Sequence, residues 1–192
     1  RYFFTDAHAL LAEDAPPRRG VYAPVVCPAG VAAFARDPQT SREVWSAQVG
    51  YPADPLYREF YRDIGHDLEF EYIRPYIHES GLRIDTGLKY HRVTGGTAAL
   101  GEKQAWNPAA AARRAVEHGD LFYRRRAEQC SALEERMDRP PLIVAPFDAE
   151  LFGHWWYEGP LFLDRVMRRC AAPASAVPPI TPLDYQTAGF DR

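Results

Sequence analysis

Short apolar runs that end in charged residues mark the strand candidates near the start of the chain. Residues 1–8, RYFFTDAH, and residues 31–37, VAAFARD, each place apolar and aromatic side chains before a charged end. Runs of this length and composition are typical of short buried strands. Residues 9–30 between them are rich in proline and glycine, which predicts an irregular, extended connection.

Further segments also carry strand-like patterns. Residues 140–148, PPLIVAPFD, form a near-continuous apolar run of the kind found in parallel sheets. Residues 178–186, PPITPLDYQ, predict a fourth short strand with a loop. Residues 81–96 are bounded by glycines and predict a strand pair or a strand with a loop.

Helical patterns separate the strand candidates. Residues 106–137 give the clearest one, because Asn107 can cap the helix and Pro108 suits its first turn. Gly119 is expected to kink or divide this helix. One helix face is traced by the apolar positions Phe122, Cys130, Leu133 and Met137.

Three shorter helices are also predicted. Residues 40–50 form the first, with Thr40 or Ser41 as its cap, and residues 55–63 form the second. Residues 159–171 form the third. Its apolar stripe consists of Leu163, Val166, Met167 and Cys170.

This alternation of strands and helices predicts an α/β fold with parallel strands. Functional sites in such folds gather at the carboxyl ends of the strands. Charged residues follow three of the strand candidates, so we expect them at one edge of the sheet: Asp6, His8, Arg36, Asp37, Asp148 and Glu150.

Composition restricts the class of protein. The chain has 192 residues, of which 46% are hydrophobic and 13% aromatic, enough to build a packed core. A net charge of -3 gives no reason to expect nucleic acid or a membrane surface as a partner. No apolar run approaches the roughly 20 residues of a membrane helix.

The cysteines and histidines indicate neither a disulfide framework nor a metal site. The three cysteines are few and widely spaced, which predicts free thiols in a reducing, cytoplasmic compartment. The histidines lack the spacing of metal ligands, so we expect no metal and no cofactor. No feature of the sequence fixes an oligomeric state.

One stretch, LIVAPFDAELFGHWWYEGP at 142–160, concentrates the candidate chemistry. Asp148 closes an apolar run, where desolvation would raise its pKa and suit it to general acid catalysis. Trp155, Trp156 and Tyr157 supply flat apolar faces with polar edges. Such faces suit the C–H side of a sugar ring, so the stretch indicates a carbohydrate site.

Plainer explanations fit the same residues. A tryptophan pair after a strand often serves only packing, and Asp148 could cap the next helix. Glu150 and His154 could form a surface pair.

The same stretch also resembles a known family. APFDAELFGHWWYEGP is similar to the fourth signature region of glycoside hydrolase family 57, and most closely to its α-1,4-glucan branching enzymes. Residues 20–68, 73–77 and 81–95 are similar to that subgroup too, so the resemblance covers almost the whole chain.

The resemblance implies a fold and a mechanism. It implies part of a distorted (β/α)7 barrel, with an inserted loop-and-helix excursion at 38–100 over the cleft. It also implies a retaining double displacement in which Asp148 is the general acid/base. The family's nucleophilic glutamate lies in a third region that would precede residue 1, and its His-x-His signature and closing helical domain are also expected outside this chain. The chain is therefore expected to be a fragment that is inactive alone.

Further site residues follow from the same resemblance. Asp148 would protonate the leaving 4-OH of the donor and then deprotonate the acceptor 6-OH. Trp155 and Trp156 would stack on sugar, with Phe147 in the wall, while Glu150 and His154 would bind hydroxyls or tune Asp148. Asp6 and His8 are assigned to contacts at the donor side. Trp45 and Tyr51 lie in the excursion, and one aromatic residue there would gate the acceptor, with the choice between them left open.

The expected partner is an α-1,4-glucan such as glycogen or an amylose-like chain. A 4-α-glucanotransferase or an α-amylase-type hydrolase of the same family is an alternative. A non-catalytic glucan-binding protein is an alternative of another class.

Overall fold

The computed structural model describes residues 1–12, 15–46, 48–77, 79–95 and 97–189. The chain divides into two compact units, each assembled from separated stretches. The unit that we call the sheet unit comprises Arg1–Val44, Gly119–Asp148 and Asp164–Arg192. The other, the loop unit, comprises Trp45–His118 and Ala149–Leu163.

A three-stranded mixed sheet organises the sheet unit. Strands β1 (Tyr2–Thr5), β2 (Val25–Val26) and β3 (Ala32–Ala35) lie in the order β1-β3-β2. β1 and β3 are parallel, with Tyr2 opposite Ala32 and Thr5 opposite Ala35, whereas β2 runs antiparallel to β3. The strands predicted at 1–8 and 31–37 are therefore confirmed, and all four residues of β3 are buried. The expected burial of the first strand is wrong, because Tyr2, Phe3 and Phe4 of β1 are exposed.

The third strand prediction, at 140–148, is wrong. The segment is extended but joins no ladder among the described residues. Single hydrogen bonds connect it to its neighbours: Leu142 N–H donates to Tyr22 O at 2.9 Å, and Asp37 N–H donates to Val144 O at 2.8 Å. The physical reason is the proline content, because each of these prolines lacks the N–H that a ladder requires: Pro140, Pro141 and Pro146.

Seven helices are found in the described residues. They are α1 (His8–Leu11), α2 (Pro38–Trp45), α3 (Ile64–Asp67), α4 (Phe70–Ile73), α5 (Pro108–Glu134), α6 (Gly159–Cys170) and α7 (Pro182–Thr187). Short 3-10 turns occupy Tyr51–Ala53, Arg74–Tyr76, Leu100–Glu102 and Ala149–Leu151. The predicted helices at 106–137 and 159–171 are confirmed as α5 and α6, and Gly119 does not divide α5.

Helix α2 begins earlier than its pattern predicts. Its cap is Asp37 rather than Thr40 or Ser41, because the Asp37 carboxylate accepts the Thr40 N–H at 2.8 Å. Pro38 then occupies the first helical position, where its missing N–H costs nothing. The sequence signal for this start is the pair Asp37-Pro38, which lies just before the predicted cap.

Three other element predictions also fail. Residues 55–63 form turns and bends rather than a helix, and residues 81–96 contribute only isolated bridges in their described part. The predicted strand at 178–186 overlaps helix α7 instead. Thr181 caps that helix by accepting the Asp184 N–H at 3.1 Å, and Pro182 begins it.

The buried face of α6 differs from the predicted stripe. Phe162 and Val166 are buried, while Leu163 and Met167 are exposed and Cys170 is half-buried. The packing of Phe162 against Trp156 and Tyr51 sets this face, since buried positions then recur four residues apart.

Each unit has its own apolar core. The main cluster of the sheet unit joins Ala32, Phe34, Val144 and Tyr185, with Leu142 packed against it. In the loop unit, the largest buried side chains are Trp156, Tyr57 and Phe162. Over the described ranges, none of the helices has both the length and the apolar character needed to cross a bilayer.

Candidate functional site

Asp148 ends the extended segment of the sheet unit and precedes the turn Ala149–Leu151 in the chain. Its side chain is exposed, and its carboxylate has no hydrogen bond or ion pair within the described residues. The described residues therefore do not bury Asp148, and the desolvation expected for its carboxylate is not observed. The same observation also argues against the helix-cap alternative. Phe147 beside it is half-buried.

Asp6 and His8 form a local pair after β1. Asp6 Oδ1 lies 3.2 Å from His8 Nδ1, and both side chains are well exposed. The hydrogen bond with His8 holds the pKa of Asp6 below its usual value. The structure thus brings together the two residues expected at the donor side, while their contact with a sugar stays a prediction.

Two glycines shape the turn that carries the aromatic residues. Gly153 has φ +98° and donates its N–H to Trp156 O at 2.8 Å, a conformation that L side chains rarely adopt. A Cβ on Gly159 would lie 2.9 Å from Phe152 Cδ1 and 3.0 Å from Phe152 Cα. The turn therefore favours glycine at both positions of the GHWWYEGP stretch, at 153 for its backbone conformation and at 159 for the close approach of Phe152.

The turn sends successive side chains to opposite sides. Trp155 and Tyr157 are each 46% exposed, whereas Trp156 and Glu158 are each only 2% exposed. Backbone bonds hold the turn in place: Trp155 N–H donates to Glu150 O at 3.2 Å, and Trp156 N–H donates to Leu151 O at 2.8 Å.

Trp156 and Tyr51 serve the core of the loop unit. The Trp156 ring lies 4.9 Å from Phe162 and 5.4 Å from Tyr57, centroid to centroid. The Tyr51 ring lies 4.7 Å from His118. For these two predicted ligand contacts, burial favours the packing explanation over sugar stacking or gating.

The other aromatic candidates face outward. Trp155 stacks on Phe60 at 4.2 Å with an interplanar angle of 31°, and His154 meets the Trp155 ring edge-on at 5.7 Å. Trp45 is also exposed. Glu150 and His154 are both exposed, and in the part of the chain that the structure describes they form no ion pair with each other.

Tyr157 sits between a cation and an indole. The Arg58 guanidinium carbon lies 3.9 Å from the Tyr157 ring centroid, and Trp106 packs against the same ring at 5.3 Å with an interplanar angle of 84°. Cation and ring attract each other in this geometry. One side of the ring is therefore occupied while the residue stays half exposed.

Glu158 is the functional candidate that the sequence reading missed. Its Oε1 accepts the Trp106 indole N–H at 2.8 Å and the Arg58 backbone N–H at 3.2 Å. Burial raises the pKa of Glu158 above its ordinary value. The available signal was a carboxylate placed directly before the Gly-Pro start of α6.

The segment that bears Arg58 and Phe60 is firmly held. Val93 N–H donates to Tyr57 O at 2.8 Å, and Glu59 N–H donates to His91 O at 2.9 Å. The largely buried Lys103 ammonium lies 2.7 Å from Glu59 Oε2. Charge-assisted hydrogen bonds of this length are among the stronger ones in proteins, so this pair helps to hold the segment in place.

The loop unit thus offers flat aromatic faces beside hydrogen-bonding groups, which suits a neutral ligand that carries both C–H faces and hydroxyls. Among the described residues, no three His, Cys, Asp or Glu side chains are grouped to hold a metal ion.

Comparison with known proteins connects this geometry to a family. No protein-family model matches the chain. The 1,4-alpha-glucan branching enzyme of Thermococcus kodakarensis is 33% identical over 181 residues, which cover 87% of this chain and 24% of that protein. A probable 1,4-alpha-glucan branching enzyme of Mycobacterium tuberculosis is 39% identical over 160 residues, which cover 83% of this chain and 26% of that protein.

Solved structures match over nearly the whole chain. The alpha-amylase AmyC from Thermotoga maritima superposes with a TM-score of 0.87 and 48% identity, covering 97% of this chain and 36% of that one. The GH57-type branching enzyme from Pyrococcus horikoshii gives a TM-score of 0.75 and 34% identity, covering 97% of this chain and 30% of that one.

These matches identify the chain as a segment of a family 57 glycoside hydrolase. It is similar both to branching enzymes and to an alpha-amylase, and it spans about a quarter of the length of the curated relatives it matches.

Proposed function

We propose that this chain is part of an enzyme that cleaves and transfers α-1,4-glucan, and that the reaction is branching through α-1,6 linkages. The main support is similarity to branching enzymes across most of the chain, together with an exposed acid that directly precedes a turn with outward-facing aromatic rings. The sheet unit is proposed to belong to a distorted (β/α)7 barrel, and residues 38–100 to the excursion over its cleft.

Asp148 is proposed as the general acid/base. Its exposed carboxylate has no protein partner in the described residues, so both oxygens are available to exchange protons with substrate oxygens. It would protonate the leaving 4-OH of the donor glucan and later take the proton of the acceptor 6-OH. A retaining reaction needs a second carboxylate roughly 5–5.5 Å away, which the remainder of the enzyme would supply.

Branching further requires that a sugar hydroxyl reach the intermediate before water does. Outward-facing rings would hold the acceptor and exclude water. We assign this role to Trp155, with Phe147 in the wall, and to Trp45 rather than the buried Tyr51 as the gate. Polar contacts to sugar hydroxyls are assigned to Asp6, His8, Glu150 and His154.

An amylase-type hydrolase is the second candidate. The observation in its favour is the alpha-amylase AmyC, whose 48% identity and TM-score of 0.87 exceed the values for the branching enzyme from Pyrococcus horikoshii. The two reactions share the same acid and differ in whether a sugar or water attacks second.

Asp148→Asn in the full-length enzyme tests the proposed acid. Since the amide cannot donate the proton, we expect the rate on amylose to fall by about 10²–10⁴-fold. The assay measures α-1,6 linkages, reducing ends and longer linear chains in the product. It thereby also separates branching, hydrolysis and disproportionation.

The matched control is Asp164→Asn, which removes an exposed carboxylate whose ion pair in the described residues is with Arg168 on the same helix. This variant should keep its rate, because exposed ion pairs contribute little. Undiminished activity in Asp148→Asn would show that another residue is the acid. The 192-residue chain assayed alone is expected to show no turnover.

A further inference from the structure

Glu158 occupies a position that stability alone does not explain. It is 2% exposed, and its Oε2 is buried without a hydrogen-bond partner in the described residues. A buried carboxylate with one unsatisfied oxygen costs free energy compared with an apolar side chain. The role of Glu158 must therefore lie in the two groups that hydrogen-bond to its other oxygen, Oε1.

Both groups bonded to Glu158 Oε1 also contact Tyr157. The Trp106 indole donates at 2.8 Å and packs on the Tyr157 ring. The Arg58 backbone N–H donates at 3.2 Å, and the Arg58 guanidinium lies 3.9 Å from the centre of that ring. The positive charge of Arg58 also favours a negative charge on Glu158. Glu158 thus anchors the two groups that fix the Tyr157 ring.

A second stacked pair, Phe60 on Trp155, lies beside the first pair, Arg58 on Tyr157. Arg58 and Phe60 are two residues apart, as are Tyr157 and Trp155, and Phe60 stacks on Trp155 at 4.2 Å. Each stack leaves one residue half exposed, Tyr157 in the first and Trp155 in the second. Two neighbouring aromatic faces match a ligand built of repeated rings.

We propose that Glu158 is a positioning residue that orients Tyr157, so that Tyr157 and Trp155 together bind two sugar units of an α-glucan. This proposal rests on the proposed function for the identity of the ligand. Glu158 does not touch the glucan; it acts through Trp106 and Arg58. The hydrogen bonds that hold residues 57–59 keep the surface preorganised, which lowers the entropy cost of binding.

The test measures binding of maltoheptaose and steady-state kinetics on amylose, in the full-length enzyme. Tyr157→Ala should weaken binding about 3- to 10-fold, the range expected for loss of one aromatic contact. Glu158→Ala should raise Kd and KM by a similar factor and leave kcat within about twofold, because the residue does not reach the reacting atoms. Glu158→Gln keeps an acceptor for Trp106 and should restore most of the affinity.

Thermal unfolding of each variant, compared with wild type, checks that the variant is folded. If Glu158→Ala unfolds, Arg58→Ala replaces it, since that change uncovers Tyr157 and leaves Glu158 bonded to Trp106. Glu158→Ala or Arg58→Ala binding as tightly as wild type would overturn the positioning role, and so would failure of Glu158→Gln to restore the affinity. A wild-type enzyme that binds no maltoheptaose would instead overturn the proposed function.

Discussion

At the scale of single residues, the sequence singled out one stretch as the candidate site but did not predict the direction of its side chains. The sequence predicts that Asp148, Trp155 and Trp156 all contact the ligand, yet Trp156 is buried, and the prediction does not include Glu158. A helix or strand has a period that tells inside from outside. A turn set by Gly153 at φ +98° has none, so the alternation of exposure could not be inferred.

Gly159→Ala tests the packing that closes this turn. The new Cβ would meet the Phe152 backbone and ring near 3 Å, so the turn must shift, and we expect the unfolding free energy to fall by about 1–3 kcal/mol. Gly101→Ala is the control, since a Cβ there meets nothing within 4 Å. Urea denaturation of both variants measures the difference, and equal midpoints would refute the close contact.

At the scale of elements, the sequence predicted those with a regular pattern and failed where prolines decide. β1, β3, α5 and α6 lie where apolar runs, helical patterns or capping residues predict them, although the buried face of α6 differs from its predicted stripe. Residues 140–148 looked like a strand by composition, but the prolines within them remove ladder donors. Residues 178–186 looked apolar and extended, but the cap at Thr181 followed by Pro182 begins a helix.

Asp63 caps the short helix α3 and connects it to the irregular segment around Thr86 and Gly87 in the loop unit. Its buried carboxylate accepts the N–H groups of Gly65, Thr86 and Gly87 at 2.9 Å each, and the Thr86 hydroxyl at 2.7 Å. Burial alone would raise the pKa of Asp63, but these hydrogen bonds lower it on balance. The ionised side chain therefore stabilises the fold.

The pH dependence of stability follows from that lowered pKa. Ionised Asp63 contributes fully above its unfolded-state pKa of about 3.9, and the contribution is lost as pH falls through the lower folded-state pKa. Asp63→Asn should be destabilised by about 1–3 kcal/mol at pH 7 and show a smaller drop between pH 4 and pH 2. Urea melts across this range measure it, and parallel curves for the two proteins would contradict the assignment.

At the scale of the whole molecule, β1 presents an unpaired edge in the described structure. It pairs with β3 only, and Tyr2, Phe3 and Phe4 are all exposed. Exposed apolar edge strands promote association between chains. The chain taken alone is therefore expected to self-associate through this strand.

Phe3→Lys tests that expectation on the 192-residue chain. A charge on the strand should raise the concentration at which light scattering first reports association. Tyr61→Lys is the control, because Tyr61 is more exposed than Phe3 but lies outside every strand. Equal gains from both variants would attribute association to general surface apolarity instead of the β1 edge.

The interleaved course of the chain has a consequence for its synthesis. The backbone passes between the two units after residues 44, 118, 148 and 163. Residues 45–118 therefore leave the ribosome before Trp156, Glu158 and Phe162, which complete the interior of the loop unit. At roughly 5–20 residues per second, about 2–9 seconds separate the two events. During that interval Tyr51 and Tyr57 lack their ring contacts with Phe162 and Trp156, so we expect this nascent segment to expose apolar surface of the kind that chaperones bind.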